Sequence, residues 1–190
     1  MRPATLIEPL KIASDLRLSP LAVEDAPTLF QMVDEDRDRL GARLPWVEST
    51  KLESDSRAFI EGSIARRDVQ AGGDGSGDWA IFGQLPEGER MVGVIGLHAP
   101  RWSHRWVTLG YWITASQEGR GWITRAAVGV LDHLFGVGFH RVEIRAATDN
   151  PRSRAVPERL GFTLEGELRS VEWIHGRPID HAVYGRLRSD

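Results

Sequence analysis

The chain reads as a single α+β domain, residues 1–190, built on a mixed sheet, and three patterns carry that reading. Alternating, β-branched and aromatic segments fill residues 79–113. One long apolar stripe at helical spacing follows them, and strand, helix and strand then alternate to the end. With 190 residues, 41% of them hydrophobic and 27% charged, the chain has the size and apolar content for one core.

Leu16-Arg17-Leu18-Ser19-Pro20 alternates as a strand does, and Pro20 closes it. From Val23 the period becomes helical: Ala26, Leu29, Phe30 and Val33 share a face, so about three turns should run to Asp34-Glu35-Asp36. Leu44-Pro45-Trp46 interrupts, and Phe59, Ile60 and Ile64 mark a second helix between Glu53 and Arg67. The stretch Ala71-Gly72-Gly73-Asp74-Gly75-Ser76-Gly77 reads as a mobile surface loop, since glycine frees the backbone and no apolar residue anchors it. No helix pattern and no Lys-Ser/Thr pair follows, which favours a plain linker over a phosphate site.

Three strands come next, centred on 79–82, 91–97 and 106–113, with Pro86-Glu87-Gly88-Glu89 as the first turn. Ile123, Ala126, Ala127, Val130, Leu131, Leu134 and Phe135 then form the most regular helical stripe, which must pack on the sheet. Val142, Ile144 and Ala146 alternate with Glu143 and Arg145 in a strand that ends in Thr148-Asp149-Asn150. A short helix, Ser153 to Leu160, and the segments Thr163–Ile174 and Ile179–Leu187 complete the pattern.

Composition excludes several functions. A net charge of −3 offers no overall attraction to nucleic acid or to an anionic membrane, so neither is expected as a partner. Without cysteine there is no disulfide, thiolate metal site or cysteine acyl-enzyme. The six histidines lack ligand spacing, and no metal is expected. The first residues lack the apolar core of a signal peptide and no run approaches a membrane span, so a cytoplasmic protein is expected. Trp46, Trp102, Trp106 and Trp173 are candidate walls of an acceptor groove or core residues, and the acidic run Asp34–Asp38 could attract a cationic acceptor or simply be solvated.

The chemistry-bearing stretch is Glu118-Gly119-Arg120-Gly121-Trp122-Ile123-Thr124, between the strand ending at Ile113 and the striped helix. Two glycines let the backbone turn so that several N–H groups converge at the positive end of the helix, where a pyrophosphate would be favoured. An ordinary glycine-rich strand-to-helix turn has the same spacing. It is neither a dinucleotide fingerprint nor a Walker loop.

Gly110-Tyr111-Trp112-Ile113, the Gly119-Arg120-Gly121 turn and the block from Asn150-Pro151-Arg152-Ser153 to Gly161-Phe162 together resemble the RimJ/RimL group of GNAT acetyltransferases, over nearly the whole chain. The resemblance implies a GNAT fold: a mostly antiparallel central sheet with a splayed strand pair and flanking helices. It implies direct transfer of acetyl from acetyl-CoA to a primary amine, the N-terminal α-amine of a protein, ribosomal by analogy. A small amine such as a polyamine or aminoglycoside, or a CoA-binding module without turnover, are the alternatives. Self-association as a homodimer or larger is also implied.

By the same resemblance, the pantetheine arm adds to the strand at Trp112 and Ile113. The pyrophosphate meets the turn formed by Glu118, Gly119, Arg120, Gly121, Trp122, Ile123 and Thr124, and Asn150 bonds the CoA arm. Glu118 stands where the superfamily has Gln or Arg, which puts a carboxylate near phosphates unless it turns outward. Many GNAT enzymes carry a tyrosine four residues before the Gly of Gly-Phe to protonate the CoA thiolate; here that residue is Pro157. Proline removes the N–H that Ser153's carbonyl would accept, so the helix should bend or break there. In the RimL-like group a serine at the position of Ser153 serves the thiolate instead, and a glutamate in the following strand, here Glu172, is the base.

Overall fold

In the computed structural model, which describes residues 5–190, one eight-stranded sheet organises the chain. Its strands are β1 (Leu10–Ala13), β2 (Leu16–Pro20), β3 (Gly77–Leu85), β4 (Gly88–Arg101), β5 (Trp106–Ile113), β6 (Arg141–Ala147), β7 (Thr163–Ile174) and β8 (Arg177–Leu187), in spatial order β1-β2-β3-β4-β5-β6-β8-β7. Every pairing is antiparallel except β5 with β6. The helices are α1 (Ala26–Glu35), α2 (Arg37–Gly41), α3 (Glu53–Arg67), α4 (Trp122–Gly136) and α5 (Pro151–Arg159).

Strand alternation sorts the core into two layers. On β3, Trp79 and Ile81 join the apolar stripe of α4, while Ala80 faces Leu29 and Met32 of α1 and Ile60 of α3. On β5, Val107 and Leu109 lie with α4, and Trp112 packs on the α1–α2 side. On β8, Ala182 and Tyr184 belong to the α4 layer. The sheet therefore separates an α4–α5 side from an α1–α2–α3 side.

The one parallel pairing is brief: Trp106, Val107 and Thr108 match Arg141, Val142 and Glu143. Beyond it β5 follows β4 as far as Ile113, while β6 follows β8 as far as Ala147. The two strands part and leave a wedge between them, the splay expected of the fold.

The structure adds β1 and α2 to the elements expected, and it corrects two readings. Residues 71–77 are anchored: Gly73 N donates to Asp68 O (2.8 Å), Gly75 N to Arg66 O (2.9 Å), and Trp102 Nε1 to Asp74 O (3.0 Å). A side chain at Gly73 would run into the Arg66 carbonyl, so this glycine permits a close approach rather than mobility. Helix α5 also runs unbroken through Pro157. No helix among the described residues is long and apolar enough to cross a membrane.

Candidate active site

The hydrogen-bond phase of β5 decides what faces the wedge. Thr114 N donates to Val92 O (3.0 Å), so Thr114 and, by alternation, Trp112 turn their backbone groups toward β4. Gly93 confirms this, since a side chain there would meet the Trp112 carbonyl. Tyr111 and Ile113 thus direct their N–H and C=O groups into the wedge. Of the two residues expected to pair with pantetheine, Ile113 offers its backbone N–H, its carbonyl accepting Arg39 Nη2 (2.6 Å), and Trp112 offers its ring, 5.9 Å from that of Trp46.

At the head of the wedge, Gly119 (φ 74°) and Gly121 (φ 78°) turn the chain into α4. Both adopt the left-handed conformation, and neither position has an atom within 4 Å of where a side chain would begin. No side chain caps α4, its first turn holds no acidic residue, and the first helical bond runs from Arg125 N to Gly121 O (3.0 Å). The amides ahead of Arg125 remain available to an anion, next to exposed Arg120. Trp122 and Ile123 are buried, so their part in such a site is confined to backbone N–H groups. Thr124 Oγ1 accepts from Arg159 Nη2 (3.4 Å), which brings a second cation to the turn.

Glu118 does not point at the anion site uncompensated. Its carboxylate takes Arg39 Nη1 (2.8 Å) on one oxygen and Arg152 Nη1 on the other. Arg39 also donates to Ile113 O (2.6 Å) and to Asp36 Oδ2 (2.7 Å), and Asp36 Oδ2 accepts Ala115 N (2.6 Å). On the opposite arm of the wedge, Arg43 pairs with Asp149, just before α5. His175, at the β7–β8 turn, bonds Gly41 O (3.0 Å). The α2 segment is therefore tied to both strands of the wedge and to the β7–β8 turn. Two members of the acidic run are paired locally in the same way, Asp34 by Arg37 (2.8 Å) and Asp36 by Arg39. Arg37, Asp38 and Gly41 line a separate cavity of about 550 Å³ shared with His175.

Asn150 caps α5, accepting Ser153 N on Oδ1 (3.2 Å), and its side-chain NH₂ is left for another partner. The carbonyl of Ser153, which Pro157 leaves without a helical donor, accepts the phenol of Tyr111 (3.0 Å). A strand side chain thus supplies the missing bond, and this is why the helix need not break. Burial pushes the Tyr111 phenol's pKa up, so it stays a donor. The Ser153 hydroxyl makes no hydrogen bond among the described residues and remains available.

Glu172 lies on β7 beyond a bulge in which three residues, Arg169, Ser170 and Val171, stand between the pairs Leu168–His181 and Glu172–Ile179 against Asp180 alone on β8. Its carboxylate takes His181 Nε2 at 3.2 Å. Since Ala182 and Tyr184 face α4 and α5, His181 faces the α1–α2 side, and the Glu172 carboxylate meets it there.

The four candidate tryptophans divide. Trp46 joins Trp112 beside the wedge, and Trp173 is exposed on β7. Trp102 packs on Phe139 (5.1 Å between ring centroids), and Trp106 begins β5, both at the end of that strand remote from Ile113. Sequence reasoning missed Arg39, Arg43, Tyr111 and His181 as parts of the site. Only Tyr111 carried a signal, in the carbonyl that Pro157 orphans. Among the described residues no three His, Asp or Glu side chains gather as a metal site.

The chain matches the acetyltransferase (GNAT) domain over residues 15–163. It is 26% identical over 183 residues to the ribosomal-protein-serine acetyltransferase of Escherichia coli, covering 96% of this chain and 98% of that one. YdaF of Bacillus subtilis is 30% identical over 181 residues, 95% of each chain. Among solved structures, the ribosomal α-N-protein acetyltransferase RimL in complex with coenzyme A superposes with a TM-score of 0.87 at 26% identity, over 96% of this chain and 100% of that one. The microcin self-immunity acetyltransferase MccE, in complex with acetyl-CoA and AMP, gives 0.85 at 25% identity over 97% of each chain.

Proposed function

The chain belongs to the GNAT acetyltransferase family, and with that as premise we propose that it moves acetyl from acetyl-CoA to the N-terminal α-amine of a protein, a ribosomal one by likeness to its relatives. The observation that carries this reading is the wedge between β5 and β6, with an uncapped helix end at its head and the free Ser153 hydroxyl at its side. The backbone N–H of Ile113 holds the pantetheine arm, the amides from Gly119 to Thr124 hold the pyrophosphate, and the NH₂ of Asn150 bonds the arm near α5.

An α-amine has a pKa of about 7.7–8.0, so a useful fraction is neutral at cellular pH and needs only modest assistance. The neutral nitrogen attacks the acetyl carbon directly, and the carbon–sulfur bond breaks. Glu172 takes the proton released by the new amide nitrogen, while Ser153 bonds the departing thiolate, itself or through a water. Both residues act on protons rather than phosphates. Glu172→Ala and Ser153→Ala should each lower turnover by about 10²–10⁴-fold while acetyl-CoA affinity is kept. Higher pH should partly rescue Glu172→Ala, because more of the acceptor is then neutral unaided. A Glu172→Ala variant as fast as the parent at neutral pH removes it as the base.

The acceptor class is tested by following free thiol from acetyl-CoA with a panel of amines: a peptide with free N-terminal serine or alanine, the same peptide blocked, a polyamine and an aminoglycoside. Thiol release with the free peptide and none with the blocked one is the expected pattern. Release with the small amines alone would move the acceptor to that class, and release with none would favour a CoA-binding module. We also place the protein in the cytoplasm as a homodimer or larger assembly. Support for self-association comes from edge strand β7, which exposes Leu164, Leu168, Val171 and Trp173. Sedimentation at micromolar concentration should show more than one copy, and a monomer there contradicts it.

A further inference from the structure

We propose that His181 is a positioning residue that holds the Glu172 carboxylate ready for the acceptor amine; this rests on the reading of Glu172 as the base. Three features of the sheet lead to it.

The first is where β8 runs. It lies between β6, which leads into Asn150 and Ser153, and β7, which carries Glu172. His181 is the β8 residue paired with Ala147 on one side and with Leu168 on the other. Its side chain projects from the α1–α2 side of the sheet, the side of Trp112 and Trp46. It therefore stands between the strand that delivers the hydroxyl and the strand that delivers the carboxylate.

The second is the bulge. Extra residues between Leu168 and Glu172 re-aim the side chains that follow, and the bulge is itself secured: Ser170, at φ 52°, donates its N–H to Asp180 Oδ1 (2.7 Å). Asp180 and His181, adjacent on β8, thus divide the task. Asp180 holds the backbone of the bulge, and His181 holds the carboxylate at its end.

The third is chemical. A glutamate has three side-chain torsions, and a base is effective only within about 2.6–3.2 Å of the proton it removes. A carboxylate left in solvent would sample many positions. His181 is the single hydrogen-bond partner of the Glu172 side chain among the described residues, and it is the less exposed of the two, 17% against 31%. An Nε2–H donated to Oε2 fixes the carboxylate plane and leaves Oε1 for the amine. The imidazole makes no contact with acetyl-CoA in this scheme, so its removal should be felt in turnover alone.

The test uses the intact chain with acetyl-CoA and whichever amine the panel selects. His181→Leu, which keeps volume and removes the donor, should lower kcat about tenfold, a part of the ~10²–10⁴ that a positioned base contributes. The Kd for acetyl-CoA and the melting temperature should stay at parental values. His181→Gln, which restores an N–H donor, should recover most of the loss. In a Glu172→Ala background, His181→Leu should cost nothing further, because two residues that act as one unit are not additive. Parental kcat in His181→Leu, or an equal loss with and without Glu172, overturns the inference. If Glu172→Ala is slow while His181→Leu is fast, this inference alone falls; if Glu172→Ala is itself as fast as the parent, the base assignment falls and takes this one with it.

Discussion

At the scale of single residues, the bond between Tyr111 and Ser153 is the point where sheet and helix become one site. The phenol of a β5 residue substitutes for an amide that Pro157 lacks, and in doing so it holds the first turn of α5 against the wedge. Tyr111→Phe leaves a carbonyl unpaired and should destabilise the fold by about 1–3 kcal/mol. Adding Pro157→Ala supplies the N–H four residues on and should return most of that loss. If Tyr111→Phe alone is neutral in a denaturant titration, the bond is incidental. Half of this arrangement was legible: proline in place of the expected tyrosine predicted an orphaned carbonyl beside Ser153, but nothing in a one-dimensional pattern says which side chain will cross from another strand to fill it. Asp78 was not legible at all. It is buried beside Ser63, and burial pushes its carboxyl up against the opposing pull of His98 and Arg66. The folded chain then holds this proton more tightly than the unfolded one. The contribution to stability is largest below the ordinary carboxyl pKa near 4 and declines as pH rises through the raised folded value. Asp78→Asn should remove that decline, so chemical denaturation of both proteins across this window should show the parent losing ground as pH increases. A constant difference would mean that the carboxylate is fully compensated.

At the scale of elements, α2 matters more than its five residues suggest. Arg39 ties it to the end of β5 and to Glu118, and Arg43, two residues past its end, ties the segment to Asp149 on the other arm of the wedge. Both arginines are over a third exposed, so these ion pairs contribute at most about 1 kcal/mol of stability. Their effect should appear in function. Arg43→Ala is expected to raise KM for the acceptor while the melting temperature and the KM for acetyl-CoA change little. A unified rise in both KM values would place Arg43 on the cofactor, and no change would reduce the segment to packing. The long periodic elements were readable because many residues repeat the same signal, as the α4 stripe shows. Five residues cannot display a helical period, nor four a strand's, which is why α2 and β1 escaped. The loop at 71–77 differs for another reason: its anchors are backbone carbonyls of Arg66 and Asp68, which carry no side-chain signal, and Trp102, which is 28 residues from Asp74.

At the scale of the molecule, the fold was legible from the order of its patterns, and the wedge followed from resemblance rather than from any residue count. Its physical origin is that β5 and β6 each keep another partner after Thr108 and Glu143. A cosubstrate that fills the wedge binds only the native state, so acetyl-CoA at a hundred times its Kd should stabilise the protein by about 2.7 kcal/mol. Gly121→Glu should abolish this, since a side chain with its own negative charge would stand at a left-handed position beside the α4 amides. An unchanged melting temperature in the parent would refute the binding site. Transfer itself is tested most directly by incubating the chain with acetyl-CoA and a peptide that begins with serine and also contains a lysine, then fragmenting the product in a mass spectrometer. One acetyl group on the N-terminal nitrogen is the expected product; acetyl on the lysine alone, or an unmodified peptide with acetyl-CoA intact, would contradict transfer to an α-amine.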